Sequence, residues 1–121
     1  MEGIMEERKL AIKLAQIAEN KKARNIIILK IDELTVISDY FVICSGTSTT
    51  HVKTLAEEME FQMRQRGVPP RGVEGRESGQ WLLLDYGGVV AHVFLPEIRE
   101  FYGLERLWGD SERIDMSMVE S

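Results

Sequence analysis

The chain has 121 residues, 44% of them hydrophobic and 29% charged, with a formal net charge of −5. This is the profile of one soluble globular domain with a continuous core, and its acidic balance argues against broad, phosphate-driven nucleic-acid binding and for a basic protein partner. The single cysteine, Cys44, excludes an internal disulfide framework or a multi-cysteine zinc cage, and in its setting FVICSG it reads as a buried strand residue.

Residues 2–22 carry Met5, Leu10, Ala11, Leu14, Ala15, Ile17 and Ala18 near helical spacing, with Glu6 and Glu7 early and Lys21 and Lys22 late, in accord with the helix dipole. No apolar run approaches a membrane span, and Met1 is followed by acidic residues instead of a basic flank and signal core, so the expected address is the cytoplasm. Strands are expected over the β-branched run 25–31 and over 40–44, separated by DELTVISD, a connector with apolar residues of its own. A polar stretch, 45–50, then leads into a second helix reaching about Arg66. Val52, Leu55, Ala56, Met59 and Met63 share one of its faces, and Ser48 or Thr49 is the expected cap. Gly67 ends it and Pro69-Pro70 prevents its continuation.

The glycine-punctuated link 71–80, with a short edge strand over 72–74, feeds QWLLLDYGGVVAHVFL. Gly87-Gly88 suits a two-residue hairpin turn of the primed type, which places strands at 80–86 and 89–95. Counting outward pairs Asp85 with Val90, Leu84 with Ala91, Leu83 with His92, Leu82 with Val93 and Trp81 with Phe94. One face, Leu82, Leu84, Tyr86, Val89, Ala91 and Val93, reads as core. The other mixes Trp81, Leu83, Asp85, Val90, His92 and Phe94, and two readings stay open: a partner-binding face, or a strand face buried under a second layer. Pro96 starts a short helix through Tyr102, 104–108 adds a turn or two, and 111–121 is expected to be a mobile tail. The sum is a single α/β (α+β) domain, 1–110, with a mixed sheet flanked by helices.

Catalytic and metal sites find little support. Gly and hydroxyl residues before the second helix invite a phosphate site, yet neither GxxxxGK[ST] nor GxGxxG is present. Asp85 lacks a second carboxylate two residues away to hold a metal, and His51 and His92 lack metal spacing. An Asp85 and His92 acid/base pair would face Leu83 across the ladder, and His92 suits a structural or interface role better. Phe101, Tyr102, Leu104, Leu107 and Trp108 are too many bulky groups for a short terminal segment to bury on itself. They must dock on the body or on a partner.

Asp39-Tyr40-Phe41-Val42-Ile43 with Ser45-Gly46-Thr47-Ser48, then Trp81-Leu82-Leu83-Leu84-Asp85-Tyr86-Gly87, His92-Val93-Phe94, Arg99-Glu100-Phe101-Tyr102 and Leu104-Glu105-Arg106-Leu107-Trp108 resemble the ribosomal silencing factor, or Iojap, family. The resemblance runs from the first helix to about Asp110; His51 stands where the family commonly has Gln, and Gly88 where an acidic turn residue is common. It implies a fold related to nucleotidyltransferases without their catalytic carboxylates, no enzymatic activity and no cofactor. It also implies binding to the large ribosomal subunit through its fourteenth protein, which keeps the small subunit from joining and lowers translation. On that reading Trp81 and Tyr86 are apolar anchors, Asp85, His92 and Glu105 polar or charged contacts, and Phe94, Tyr102 and Trp108 come next. Trp81 and Tyr86 lie on opposite faces of an ideal hairpin, so both meet one partner only at the sheet edge or turn end. Limited contact with ribosomal RNA fits the local basic clusters. The rivals are a nucleotide- or phosphate-binding enzyme using 45–50, and a module that closes a homodimer through its aromatic face.

Overall fold

In the computed structural model, residues 5–115 are described. Continuous apolar stretches become central strands and amphipathic ones become helices. The order is α1 (Glu7–Asn20), β1 (Arg24–Lys30), β2 (Tyr40–Ser45), α2 (Thr49–Gln65), β3 (Gly72–Glu74), β4 (Trp81–Asp85), β5 (Val89–Phe94), α3 (Pro96–Tyr102), α4 (Leu104–Leu107) and β6 (Glu112–Arg113). The six strands form one mixed sheet in the order β3-β4-β5-β2-β1-β6. Every residue of β2 is buried, which explains its unbroken apolar reading; β2 runs parallel to β5 and antiparallel to β1.

The hairpin register is the expected one from Trp81↔Phe94 to Asp85↔Val90. At its turn only Gly87 takes a positive φ, 87°, the mark of the type II′ turn, whose first central position requires it. Ser48 caps α2, its Oγ accepting from the His51 N–H at 3.0 Å. Both long helices end in Schellman motifs. In α2 the left-handed residue is Gly67, with Val68 N–H donating to Met63 O at 2.8 Å; in α1 it is Lys22 at φ 68°, with Ala23 N–H donating to Ala18 O at 2.9 Å. No glycine announces the end of α1, so it stops two residues earlier than its pattern suggests.

α1 and α2 cover one face of the sheet, and the larger core lies between them and Ile28, Val42, Cys44, Leu82, Leu84, Tyr86, Val89, Ala91 and Val93. α3 and α4 cross the opposite face, where Leu29, Ile31, Phe41, Ile43 and Phe94 form a second cluster against Ile98, Leu104 and Trp108. The expected mobile tail is corrected at its start. Glu112–Arg113 pairs antiparallel with β1, Ile114 N–H donates to Ile28 O at 2.9 Å, and Ile114 is buried in the larger core. Residues 116–121 lie outside the described residues.

Candidate partner-binding surface

The mixed face of the hairpin is built by alternation. Trp81, Leu83 and Asp85 on β4 stand beside Phe94, His92 and Val90 on β5, and Ile43 and Phe41 on β2 continue the two rows through His92 and Val90. Aromatic rings run across it from α3 to α4. Trp81 lies 4.9 Å from Tyr102 and 4.8 Å from Phe94 between ring centroids, His92 lies 4.6 Å from Phe41, and Phe41 meets Trp108 edge to face at 5.8 Å. Pro96 at the start of α3 and Gly103, left-handed at φ 60° between α3 and α4, fold the chain back so that Tyr102 and Trp108 flank the hairpin from two sides.

Hydrogen bonding fixes the protonation of the histidine. Trp81 Nε1–H can only donate, and it donates to His92 Nδ1 at 3.2 Å, so the neutral ring carries its proton on Nε2. That atom is buried and has no partner among the described residues, and burial pushes the imidazole pKa down to about 4. Asp85 Oδ1 accepts from the Gly87 N–H at 2.8 Å, which holds the carboxylate at the turn end of the hairpin; no cation is paired with it among the described residues.

The structure separates the eight candidate residues. Trp81, Asp85 and Trp108 are half-buried and Tyr102 is exposed, so these four share an accessible surface. Phe94 is a correction: Trp81 stacks on it and it has no exposed area left for a partner. His92 is likewise under the surface, able to act only through Trp81 or by a local opening. Tyr86 is corrected too. It sits on the α1 and α2 side with 8% exposure, its hydroxyl without a partner among the described residues and its pKa pushed up to about 12 by burial. Glu105 does not wait for a partner's charge, because Arg99 donates to both its oxygens at 2.8 and 3.0 Å while also donating to Ser45 Oγ at 2.9 Å. The hydrogen bonds from Arg99 hold that carboxyl below its ordinary range, helped by the charges of Arg113 and Arg106. Glu105 therefore anchors α4.

Residues outside the candidate set add to the surface. Leu83 and Val90 are half-exposed between the aromatics, and Phe101 and Leu107 are 77% and 72% exposed on α3 and α4. The connector 32–39 exposes Leu34, Val36 and Ile37 at the turn end of the hairpin, where Ser38 Oγ–H donates to Gly88 O at 2.9 Å and Asp39 N–H donates to the same oxygen at 2.8 Å. Its apolar residues form a run without helical or strand period, and only tertiary structure ties the end of the connector to the hairpin turn at Gly88.

Among the described residues, no three His, Cys, Asp or Glu side chains converge as metal ligands, and no helix is long and apolar enough to cross a membrane. The Cys44 thiol is fully buried, which pushes its pKa up to about 12 and removes its nucleophilicity. At the start of α2, the Thr47 N–H donates to His51 Nδ1 at 2.9 Å, and His51 Nε2–H donates to Lys21 O at 2.9 Å. Two of the amides an anion would need there, those of Thr47 and His51, are already engaged by side chains.

Comparison with known proteins agrees with this architecture. Residues 4–121 match the family model described as ribosomal silencing factor during starvation. The ribosomal silencing factor RsfS of Bacillus subtilis is 36% identical over 110 residues, covering 90% of this chain and 93% of that protein. A mouse protein named mitochondrial assembly of ribosomal large subunit protein 1 is 37% identical over 98 residues, which is 78% of this chain and 43% of the mouse protein. A crystal structure of a Chromobacterium violaceum protein superposes with a TM-score of 0.83 at 38% identity, covering 89% of this chain and 90% of that one. With the family model spanning almost the whole chain and the fold shared at this identity, the chain belongs to the family of ribosomal silencing factors.

Proposed function

We propose that this chain binds the large ribosomal subunit through the subunit's fourteenth protein and thereby keeps the small subunit from joining, repressing translation without catalysing a reaction. The observation that carries this reading is the accessible aromatic surface of Trp81, Tyr102 and Trp108 beside Asp85, a carboxylate with no cation of its own among the described residues. Half-buried aromatics around a carboxylate suit a basic protein surface, where the rings supply contact area and the charge supplies register. The chain's net charge of −5 favours encounter with such a partner. The name of the mouse relative supports the choice of the large subunit, and the family resemblance supports the choice of its fourteenth protein. Steric exclusion is a sufficient mechanism, since occupying a surface needed for subunit bridging requires only binding energy. The proposed address is the cytoplasm.

Cosedimentation with separated large subunits, small subunits and joined ribosomes tests this directly. The expected result is selective pelleting with large subunits, weakened by Trp81→Ala and Asp85→Ala in folded protein, and a lowered rate of subunit joining by light scattering. Equal pelleting with both subunits, or with neither, contradicts it. Static light scattering on the free protein addresses the rival homodimer: if the aromatic surface closes a dimer, Trp81→Ala shifts the mass towards that of one chain.

A further inference from the structure

Where β1, the end of β2, α3, α4 and β6 meet, a cavity of about 410 Å³ opens, with Asn25, Ser45, Arg99, Glu105, Arg106 and Arg113 among its lining residues. Trp81, Asp85 and Trp108 take no part in it. In a chain of net charge −5, three arginines converge here. Arg99 is more than nine-tenths buried and uses Nε–H and one Nη2–H on Glu105 and one Nη1–H on Ser45. A guanidinium has five N–H donors, so two remain without an acceptor among the described residues. Each guanidinium nitrogen already holds one partner, and the two remaining N–H groups are what an occupant of the cavity could engage.

The rim adds further donors. Arg106 spends one N–H on Glu100 O, at 3.3 Å, and Arg113, paired with Leu29 through the β6 ladder, brings a guanidinium whose charge acts on Glu105. Backbone geometry opens the wall opposite α3: Asn25 takes a left-handed φ of 52°, and the pairing of β1 with β2 breaks register between Arg24 and Ile27. The peptide groups there are outside the ladder, and Asn25 offers a carboxamide beside them.

We propose that this cavity binds the phosphate group of a small phosphorylated metabolite of nucleotide size, held by the spare Arg99 donors together with Arg106 and Arg113. Planar guanidinium forks match phosphate oxygens in pairs, which distinguishes this site from one built of lysines. The volume falls in the range of about 300–1,000 Å³ typical of small-ligand sites and is far larger than an isolated inorganic ion needs. The chain's overall negative charge opposes a long polyanion and leaves a compact one as the fitting occupant. Asn25 and Glu100 also line the cavity, where the remainder of such a molecule would lie. The cavity shares α3 and α4 with the proposed ribosome-binding surface but not Trp81, Asp85 or Trp108, and binding of a small probe is expected whether or not the chain binds ribosomes.

The test measures thermal shift and calorimetric binding on the full chain, with pyrophosphate, ADP and GDP as small probes, a ten-residue single-stranded RNA as the polymeric phosphate source, and sodium chloride at matched ionic strength. At least one small probe is expected to raise Tm where sodium chloride does not. In the exposed double variant Arg106→Ala with Arg113→Ala, its affinity is expected to fall at least tenfold while large-subunit pelleting is unchanged. Arg99→Lys, which keeps the charge and loses the fork, is expected to weaken the same probe. No shift with any small probe, a shift that survives in the double variant, binding of RNA alone, or joint loss of probe binding and pelleting each overturns the proposal.

Discussion

The two faces of the sheet are built from the same strands and end up as different materials. Under α1 and α2, Leu82, Leu84, Ala91 and Val93 meet two amphipathic helices and nothing of them is left for a partner. Under α3 and α4, helices of seven and four residues are too short to roof the sheet, so Trp81, Leu83, Val90 and Trp108 remain partly open around a closed centre at Phe94. The first face spends its apolar area on stability. The second spends part on holding its own short helices and offers the remainder outward, which is what a binding surface requires.

Substitutions can break that division. Phe94→Ala removes the closed centre of the second face and is expected to cost about 4 kcal/mol of stability, read by denaturant unfolding. A loss below about 1 kcal/mol would mean that α3 and α4 do not pack on it as described.

Lowering the pH acts on the same face. The folded pKa of His92 is about 4, below its ordinary 6.5, so the stability gained by keeping the ring neutral is fully present above pH 6.5 and is lost as pH falls towards 4. The full loss is on the order of 3 kcal/mol. The difference between the stability curves of the wild type and His92→Gln isolates it from the carboxylates that titrate in the same range. Parallel curves between pH 6.5 and 4 would mean that the imidazole is not buried and neutral.

Trp81→Ala is expected to weaken large-subunit binding by about 2 kcal/mol, some thirtyfold, as removal of a central aromatic commonly does. Tyr86→Phe gives the smallest effect and the sharpest contrast. Its hydroxyl is buried on the opposite face without a partner among the described residues, so removing it should leave binding unchanged and stability equal or higher by up to about 1 kcal/mol. Weakened binding in this variant would move the contact to the turn end or to the α1 and α2 side.

The hairpin was legible because its signals agree: paired glycines fix the turn, strict alternation fixes the faces, and each pair from Trp81↔Phe94 to Asp85↔Val90 follows by counting. The cap of α2, narrowed to Ser48 or Thr49 and found at Ser48, and the Pro96 start of α3 were equally local. Which face of the hairpin stays accessible was not legible, because it depends on the reach of α3 and α4. The tie between Glu105 and Arg99 crosses the break at Gly103 and matches no helical spacing. Strand β6 is two polar residues without a strand pattern, recruited by the exposed edge of β1. Left-handed Lys22 and Asn25 carry no glycine to mark them.

Hydroxyl-radical footprinting of side chains, with and without large ribosomal subunits, is the most direct test of the division between the faces. Phe61, exposed on α2, is the internal reference for the other side of the sheet. Protection of Trp81, Tyr102, Leu107 and Trp108 with Phe61 unchanged is the expected result. Protection of Phe61 with those four still oxidised would contradict it and place the ribosome on the helical face.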